Sequence, residues 1–472
     1  MKTHDVIVIG AGAAGLTAAG GCAMFGLKAL LIEKGEMGGD CLNYGCVPSK
    51  ALLTAAARAA AGGSTHLGVA LPTPKVDWIG VRDHIRSAIA TIAPVDSQER
   101  FEEMGVEVIR DRAQFIDPRT VEAGGRRFVA PRIVIATGSR PAAPPIAGLD
   151  AIDYLTSETL WDLDELPRHL AIIGGGAIGM EMAQAFVRLG SKVTLVERFT
   201  PMPRDDREAA ELVIASVRAD GVDIRTDCAV ERVAKDEDGV AVTLGDQTVI
   251  AASHLLVAAG RAPNIEGFGL EKAGVRTAKD GIIVDARRRT SARHIFAIGD
   301  CAQGPRFTHV SGAEGSLAVM NIALGIPGKW DDAALPWVTY TSPELGQIGL
   351  TEAAARQKWG DAVHVTQCEF AENDRAIAEA DNRGFVKFVH RKTIFGKKLV
   401  GATVVGARAG DLLLPIAQLI TGKASTFALG SAVIPYPNRS EILKTASFAM
   451  HETFAFSAPI KAWARLLARF RS

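Results

Sequence analysis

The chain has 472 residues, 48% of them hydrophobic and 22% charged, so it is long enough for several packed domains and too apolar to be mostly disordered. Its 53 Lys and Arg residues balance its 53 Asp and Glu residues, which argues against nucleic acid as a partner. Six cysteines do not make a secreted disulfide scaffold, and no apolar run reaches membrane-spanning length, so we expect a cytoplasmic protein.

The first predicted unit is a strand, a glycine turn, a helix and a second strand. The apolar run 6–9 leads into a turn that contains Gly10, Gly12 and Gly15, and an Ala-rich helix follows. A second strand at 29–32 ends at Glu33. The first glycine permits the tight turn, the second lets a pyrophosphate approach the backbone, and the third lets the helix pack on the strand.

The same plan returns from His169 onward. A strand runs into Gly174, Gly176 and Gly179, a helix continues through residue 188, and a strand at 193–196 ends at Glu197. In both copies the acid lies 23 positions after the first glycine. Two ordinary βαβ crossovers are the alternative, but the paired acids favour two dinucleotide sites. Two such sites suggest a tightly held cofactor that exchanges electrons with a mobile one.

The rest of the chain divides less sharply. Several prolines mark a connection at about 141–167. From about residue 335 there is no third glycine fingerprint, and strand-like runs at 386–389 and 399–405 precede an apolar helix near 412–420. The sequence therefore predicts an α/β protein with two Rossmann-like dinucleotide-binding domains and a C-terminal α+β interface domain.

Two cysteines follow the first unit closely. Cys41 and Cys46 are too far apart on an uninterrupted helix for a disulfide, so we expect a turn between them and a helix at 47–60. A thiolate at the start of that helix would be stabilised by the helix dipole and by Lys50. Such a pair can cycle between disulfide and dithiol. Metal ligands or two buried cysteines remain the alternatives.

These motifs together resemble those of the class I pyridine nucleotide-disulfide oxidoreductases, which include dihydrolipoamide dehydrogenase, glutathione reductase and mercuric reductase. The segment 38–50 is similar to the family's redox loop, and 136–139 and 259–264 are similar to its two ATG-type turns. The segment 297–300 resembles the one whose acid binds the flavin, and 341–344 resembles the start of the dimerisation domain.

The resemblance implies a homodimer that binds FAD at the first fingerprint and NAD(P)H at the second. It divides the chain into a first FAD-binding segment at 1–150, an NAD(P)H-binding domain at 151–270, a second FAD-binding segment at 271–335 and a dimerisation domain with a C-terminal amphipathic tail at 336–472. The residues that we expect to bind the cofactors are Gly10, Gly12, Ala13, Ala14, Gly15, Glu33, Lys34, Lys50, Ala136, Thr137, Gly138, Gly174, Gly176, Ile178, Gly179, Glu181, Glu197, Gly260, Asp300 and His309.

The resemblance also implies catalytic roles. Cys41 would attack the acceptor while Cys46 lies against the flavin, and Lys50 paired with Glu181 would tune the flavin and orient the nicotinamide. Glu197 favours NADH because a carboxylate at the end of that strand repels a 2′-phosphate, with NADPH as the second choice.

One catalytic position departs from the family pattern. Disulfide reductases carry a His-Pro-Thr motif with a Glu five residues after the His, whereas this chain has Tyr436 and Glu441 there. A tyrosine, with a pKa near 10, is a poor base at pH 7, so efficient dithiol oxidation is not expected. Mercuric reductase also has a tyrosine here, but it ends in a vicinal cysteine pair, whereas this sequence ends in Arg469-Phe470-Arg471-Ser472.

We therefore expect an enzyme that passes electrons from NAD(P)H through FAD and the cysteine pair to a disulfide, thiol or metal-ion acceptor, and that is similar to mercuric reductase but without its C-terminal cysteine pair. Dihydrolipoamide dehydrogenase is the alternative enzyme, and a flavin-bound redox sensor or membrane-associated scaffold is the alternative of another class. Near the C-terminus, apolar and basic residues alternate at helical spacing, which predicts a helix that touches a membrane or a partner, or packs on its own dimer. The apolar set is Ile460, Trp463, Leu466, Leu467 and Phe470, and the basic set is Lys461, Arg465, Arg469 and Arg471.

Overall fold

A computed structural model describes residues 3–63, 65–237, 239–393 and 396–470 of the chain. The chain forms two compact units. Unit 1 comprises Met1–Ser64, Leu71–Phe199 and Asp223–Asp331, and unit 2 comprises Thr65–Ala70, Thr200–Val222 and Asp332–Ser472. Within the described ranges, no helix is both long and apolar enough to cross a bilayer.

The strands are numbered in chain order. They are β1 (Val6–Ile9), β2 (Ala29–Glu33), β3 (Thr65–His66), β4 (Val69–Ala70), β5 (Glu107–Arg110), β6 (Gln114–Phe115), β7 (Thr120–Ala123), β8 (Arg126–Val129), β9 (Arg132–Ile135), β10 (Ser139–Pro141), β11 (His169–Ile173), β12 (Lys192–Val196), β13 (Asp223–Arg225), β14 (Val230–Asp236), β15 (Gly239–Leu244), β16 (Val249–Ala252), β17 (His254–Val257), β18 (Arg261–Pro263), β19 (Thr277–Ala278), β20 (Gly281–Ile282), β21 (Ile295–Ala297), β22 (Pro336–Thr339), β23 (Glu344–Gly349), β24 (Val363–Glu369), β25 (Phe385–Thr393) and β26 (Gly396–Gly406).

The α-helices are numbered in the same way. They are α1 (Ala13–Met24), α2 (Gly39–Asn43), α3 (Cys46–Ala60), α4 (Trp78–Ile92), α5 (Gln98–Glu103), α6 (Ala177–Leu189), α7 (Arg207–Ala219), α8 (Thr308–Ala323), α9 (Glu352–Trp359), α10 (Asp374–Ala378), α11 (Leu413–Ile420), α12 (Thr426–Ser431), α13 (Glu441–Ala449), α14 (Glu452–Ala455) and α15 (Ala458–Arg469).

Unit 1 contains two parallel sheets. The first has the order β21-β9-β1-β2-β5, so the chain returns to it at β21 after the second fingerprint. The second has the order β13-β12-β11-β17. Strands β1 and β11 lie inside their sheets and are apolar nearly throughout, because parallel strands are covered on both faces. Each βαβ fingerprint of the sequence therefore starts on an interior strand of a Rossmann-like sheet.

Unit 2 is built on one antiparallel sheet with the order β22-β23-β26-β25-β24. Helices α7, α9, α11 and α13 contact this sheet. Its core includes Phe370, Phe388 and Ile416, which are fully buried. The α+β organisation expected for the C-terminal part of the chain is therefore present.

Element boundaries differ from the sequence prediction by a few residues. The helix predicted at 47–60 begins one residue earlier, at Cys46, because the chain breaks at Gly45 rather than after it. The helix predicted near 412–420 begins at Leu413, since residues 410–412 form a 3-10 turn. Strands β25 and β26 extend beyond the apolar runs 386–389 and 399–405, because strand pairing continues where the side chains become polar.

Candidate active site

The first glycine turn is closely packed where its first and third glycines lie. A Cβ atom on Gly10 would lie 2.3 Å from the Ala136 carbonyl oxygen, and one on Gly15 would lie 1.8 Å from the Gly10 carbonyl oxygen. Gly10 also has a φ of 106°, which favours glycine. At Gly12 the nearest atom to a Cβ would be 3.8 Å away, so the middle of the turn is open.

The acid that ends β2 is hydrogen-bonded to this turn. Glu33 accepts hydrogen bonds from the Ala11 N–H (2.6 Å) and the Gly35 N–H (2.6 Å). Lys34 is exposed beside it. Ala13 and Ala14 begin α1, so their peptide N–H groups belong to the helix N-terminus.

The second glycine turn repeats this geometry. A Cβ on Gly174 (φ 111°) would lie 2.6 Å from the Ala258 carbonyl oxygen, and one on Gly179 would lie 1.9 Å from the Gly174 carbonyl oxygen. Nothing lies within 4 Å of a Cβ on Gly176. Glu197 accepts hydrogen bonds from the Gly175 N–H (2.7 Å) and the Phe199 N–H (2.9 Å).

Both turns therefore fit a dinucleotide. The open middle glycine would let a pyrophosphate reach the backbone, and the N-termini of helices α1 and α6, which begin directly after these glycines, would supply N–H groups to it. The carboxylates of Glu33 and Glu197 lie at the ends of the adjacent strands, where ribose hydroxyls can donate to them. Ile178, the second residue of α6, is partly exposed beside the second turn.

The two ATG-type turns are hydrogen-bonded to each other. The Thr137 hydroxyl donates to the Asn264 carbonyl oxygen (2.6 Å), and the Asn264 side-chain amide donates to the Thr137 carbonyl oxygen (2.9 Å). Ala136 continues from β9 and is buried. A Cβ atom on Gly138 (φ 68°) or Gly260 (φ 131°) would meet no atom within 4 Å, so both glycines leave space at the ends of their strands.

Asp300 is held by two other groups of unit 1. The Ser139 hydroxyl donates to its carboxylate (2.6 Å), and the Arg261 guanidinium lies 3.9 Å from it. Arg261 also pairs with Asp40 at 3.1 Å. Burial raises the pKa of Asp300 above its usual range, and the hydrogen bond and the arginine oppose that shift.

The redox loop places the two cysteines on consecutive helices. Cys41 lies on the short helix α2, and Cys46 begins α3 after a break at Tyr44 and Gly45. Both are free thiols in the structure. The Cys46 Sγ lies 3.2 Å from the Thr308 Oγ1, at the start of α8. The break supplies the turn that the sequence analysis requires.

The two thiols have different proton affinities. A hydrogen bond from Cys41 is the largest cause that lowers the pKa of Cys46, to about 6, with smaller contributions from the Thr308 hydroxyl and the positive charge of Lys50. The same hydrogen bond, together with burial, raises the pKa of Cys41. In the reduced pair, Cys46 is therefore the thiol that loses its proton more readily.

Lys50 and Glu181 form an ion pair between α3 and α6. The Lys50 Nζ lies 2.7 Å from the Glu181 Oε2. The glutamate side chain is only 6% exposed, whereas that of the lysine is 38% exposed. The pair expected from the sequence is therefore present, on the helices that begin at Cys46 and at the second glycine turn.

His309 lies at the surface of α8. It is exposed on the first turn of α8 and stacks on Phe307, with 5.3 Å between the ring centroids. Its neighbour Thr308 is the residue that reaches Cys46.

Tyr436 and Glu441 lie in unit 2. The Tyr436 side chain is 71% exposed, and its hydroxyl donates a hydrogen bond of 2.8 Å to Asp374. This bond and the carboxylate charge raise the pKa of Tyr436 above its ordinary value. Glu441 begins α13 and lines a cleft together with Asp374. Tyr436 is therefore a protonated hydrogen-bond donor at neutral pH.

The sequence analysis did not assign a role to Thr308, Asp374 or Arg261. Their contacts join residues far apart in the chain: Thr308 is 262 positions from Cys46, and Asp374 is 62 positions from Tyr436. Thr308 adjoins His309, which the motif comparison did single out. No spacing rule points to Asp374.

Comparison with known proteins identifies the family. The profile of the pyridine nucleotide-disulphide oxidoreductases matches residues 4–315, and the profile of their dimerisation domain matches residues 335–447. The chain belongs to the pyridine nucleotide-disulphide oxidoreductase family. This confirms the family and the fold class expected from the motifs.

Relatives in this family include two kinds of enzyme. The chain is 36% identical to mercuric reductase from Streptomyces lividans, over 94% of this chain and 95% of the relative. It is 37% identical to dihydrolipoyl dehydrogenase from Thermus scotoductus, over 96% of this chain and 98% of the relative.

Two solved structures have the same fold. LpdA from Mycobacterium tuberculosis matches with a TM-score of 0.85 and 28% identity, over 94% of this chain and 99% of that one. The Cu(II) complex of the HOCl-induced flavoprotein disulfide reductase RclA from Escherichia coli matches with a TM-score of 0.83 and 28% identity, over 93% and 99%.

Family membership confirms the general activity. The chain is a flavoprotein oxidoreductase that uses FAD and NAD(P)H, and it carries the family's dimerisation domain. Its two glycine turns fit these cofactors by the geometry described above.

Proposed function

We propose that this enzyme uses NADH to reduce a thiol-reactive acceptor, either a thiol-bound soft metal ion or a disulfide, through Cys41 and Cys46. The observation that supports this proposal is the hydrogen-bonded trio of Cys41, Cys46 and Thr308, in which the pKa of Cys46 is lowered to about 6. A thiolate binds soft metals directly, and the Cys46 thiolate of this trio also lies beside Cys41 and can take the proton that Cys41 loses when it attacks a disulfide.

The cofactors would be held by the residues of the two fingerprints and the ATG-type turns. When bound, NADH and FAD supply the hydride transfer that delivers an electron pair to the cysteines. The Lys50–Glu181 pair would position the reacting rings, and Glu197 would favour NADH over NADPH. The proposed cofactor-binding residues are Gly10, Gly12, Ala13, Ala14, Gly15, Glu33, Lys34, Lys50, Ala136, Thr137, Gly138, Gly174, Gly176, Ile178, Gly179, Glu181, Glu197, Gly260, Asp300 and His309.

With a disulfide acceptor, Cys41 transfers its proton to the neighbouring Cys46 thiolate and attacks one sulfur, and the other sulfur leaves as a thiolate that takes this proton from Cys46. Cys46 then attacks Cys41, which releases the second acceptor thiolate and closes the Cys41–Cys46 disulfide. With a metal ion, both cysteines bind it as thiolates. The electron pair passes to the metal as the same disulfide forms, so the balance is one disulfide formed for each metal ion reduced by two electrons.

Tyr436 supports the reducing direction. Oxidation of a dithiol needs a base that takes a proton near pH 7, and a phenol whose proton is donated to Asp374 is unsuited to that task. By the family resemblance, Tyr436 and Glu441 of one subunit would face Cys41 of the other. A donor there can assist a departing thiolate.

Dihydrolipoamide oxidation is the second candidate. The 37% identity to a dihydrolipoyl dehydrogenase over 96% of the chain is the observation that favours it. The Tyr436–Asp374 hydrogen bond argues against it.

We also propose a cytoplasmic homodimer with the segments 1–150 and 271–335 binding FAD, 151–270 binding NADH, and 336–472 forming the dimerisation domain together with its C-terminal amphipathic tail. The first family profile, which ends at residue 315, and the dimerisation profile, which begins at residue 335, support the boundary near residue 335. Six cysteines scattered over 472 residues do not form a secreted disulfide scaffold, which supports a reducing compartment.

The test is turnover by the purified flavoenzyme with three acceptor systems: NADH with thiol-complexed Hg(II), NADH with lipoamide, and NAD⁺ with dihydrolipoamide. We expect fast NADH oxidation with thiol-complexed Hg(II) or with lipoamide. This activity should be lost in Cys41→Ser and kept in the control Cys22→Ala, whose thiol is buried in α1. Fast, Cys41-dependent dihydrolipoamide oxidation with slow reduction of both acceptors would contradict the proposal and favour the second candidate.

A further inference from the structure

The C-terminal helix α15 lies beyond the part of the chain that the family's profiles cover. The dimerisation profile ends at residue 447, and α15 spans Ala458–Arg469. None of its residues is buried. This helix therefore does not form part of the core of unit 2.

One face of α15 is apolar and exposed. Trp463 is 59% exposed and Phe470 is 80% exposed, and their apolar neighbours on the helix are accessible as well. Apart from the adjacent Leu466 and Leu467, neighbouring members of this face lie three or four positions apart, which puts them on one side of a helix. They are Ile460, Trp463, Leu466, Leu467 and Phe470.

The opposite face is basic. Lys461, Arg465 and Arg469 follow one another at intervals of four residues and form one stripe along the helix. The sequence from 453 to 472 contains no Asp or Glu. Arg471, the fourth cation expected on this segment, lies outside the described residues.

We propose that α15 binds the surface of an anionic lipid bilayer and holds the enzyme there as a peripheral membrane protein. An aromatic and leucine face opposite a cationic face is the pattern of helices that lie in the bilayer interface. With 12 residues the helix is about 18 Å long, too short for a hydrocarbon core of about 30 Å, so it lies along the surface rather than across it.

Charge selects the lipid surface over a second copy of this helix. An anionic bilayer attracts every cation of the segment, each of which strengthens binding about fivefold. A second α15 would instead bring the same positive charges together, with no acidic residue from 453 onward to compensate them.

The experiment is co-sedimentation of the full-length flavoenzyme with vesicles of phosphatidylcholine alone or with about one third phosphatidylglycerol. We expect binding to the anionic vesicles only, weakened by raised salt. Lys461→Glu/Arg465→Glu and Trp463→Ser should each lower the bound fraction at least about tenfold. Truncation after residue 456 should abolish binding.

The matched control is Lys272→Glu/Lys279→Glu. It makes the same change of net charge at two exposed lysines of unit 1 and should bind like the wild type. Sedimentation of the truncated and full-length proteins without lipid should give the same oligomeric state.

Three outcomes would overturn the proposal: failure of the wild type to bind anionic vesicles, binding that survives the truncation, and a truncated protein that loses its oligomeric state, which would make α15 a contact between subunits. None of these readouts depends on the acceptor of the enzyme, so the test is independent of the proposed function.

Discussion

Thr308 places its hydroxyl group beside the thiol of Cys46. Its Oγ1 lies 3.2 Å from the Cys46 sulfur and, after the hydrogen bond from Cys41, it is the next contact that lowers the pKa of Cys46. A valine has the same shape without the hydroxyl, so only the hydrogen bond is lost.

We expect Thr308→Val to raise the pKa of Cys46 above about 6, which lowers its thiolate fraction at neutral pH. The measurement is the rate of alkylation of the reduced enzyme by iodoacetamide against pH, with modification at Cys46 quantified by mass spectrometry. In the wild type this rate should rise as the pH passes about 6, and in the variant at a higher pH. Thr54→Val is the control on α3. An unchanged profile in Thr308→Val would show that the hydroxyl does not support the thiolate.

Replacing Tyr436 by a base should increase the rate of dihydrolipoamide oxidation. An imidazole has a pKa near 6.5 and can accept a proton at neutral pH, which a phenol cannot. We therefore expect Tyr436→His to raise the rate of dihydrolipoamide oxidation, by about 100-fold if the new base is well placed. Tyr436→Phe, which removes the hydroxyl without adding a base, should give no increase. Equal rates in both variants would mean that the base is not what limits this reaction.

At the level of elements, each βαβ unit ends in an acid whose backbone hydrogen bonds are the same. Glu197 of the second unit should exclude a 2′-phosphate by charge repulsion, whereas Glu33 of the first has no part in that choice. Glu197→Ala should raise the ratio of kcat/KM for NADPH to that for NADH by at least about tenfold. Glu33→Ala should weaken FAD retention and leave the ratio unchanged. A ratio that shifts equally in both variants would contradict this assignment.

The strand pair β24–β25 contains a buried histidine that resists protonation. Burial, and then the nearby Lys397, His364 and His451, lower the pKa of His390 to about 4. In the unfolded chain the His390 side chain binds a proton below about pH 6.5, whereas in the folded chain it does so only near pH 4. The free energy of unfolding therefore decreases as the pH falls from about 6.5 toward 4. The Thr366 hydroxyl lies 3.1 Å from the His390 Nε2, within the same strand pair.

Between pH 7 and pH 5 this one group should account for about 2 kcal/mol of lost unfolding free energy. Urea unfolding at both pH values should therefore show a smaller loss in His390→Gln than in the wild type. His84→Gln, at an exposed position on α4, should retain the full loss. An identical loss in all three proteins would show that His390 does not titrate differently on folding.

Helix α7 packs on a sheet that could not be predicted from the sequence, because the sequence does not show which sheet covers this helix. In the structure α7 contacts β23 and β26, and Asp206 at its start pairs with buried Lys387 at 3.0 Å. The sequence analysis includes α7 and Asp206 in the segment 151–270. In the structure, the compact units instead group residues 200–222 with unit 2.

At the scale of the whole molecule, the features that could be predicted from sequence are the local ones. Each fingerprint lies within a few tens of residues, so spacing alone reveals the turn, the helix and the acid. The contacts that tune the chemistry form only when the chain folds, as when Thr308 meets Cys46 across 262 positions. The Lys50–Glu181 pair was predicted from the family resemblance, because residue spacing alone does not indicate a contact between such distant positions.

The central claim is that electrons from NADH reach the Cys41–Cys46 pair before they leave the enzyme. The most direct measurement is an anaerobic titration of the purified flavoenzyme with NADH, followed by absorbance. We predict that the wild type takes up two electron pairs per subunit, and that after the first it shows the long-wavelength absorbance of a thiolate beside oxidised flavin. Cys46→Ser should take up one pair and lack that absorbance. Uptake of a single pair by the wild type, with the flavin bleached at once, would contradict the claim.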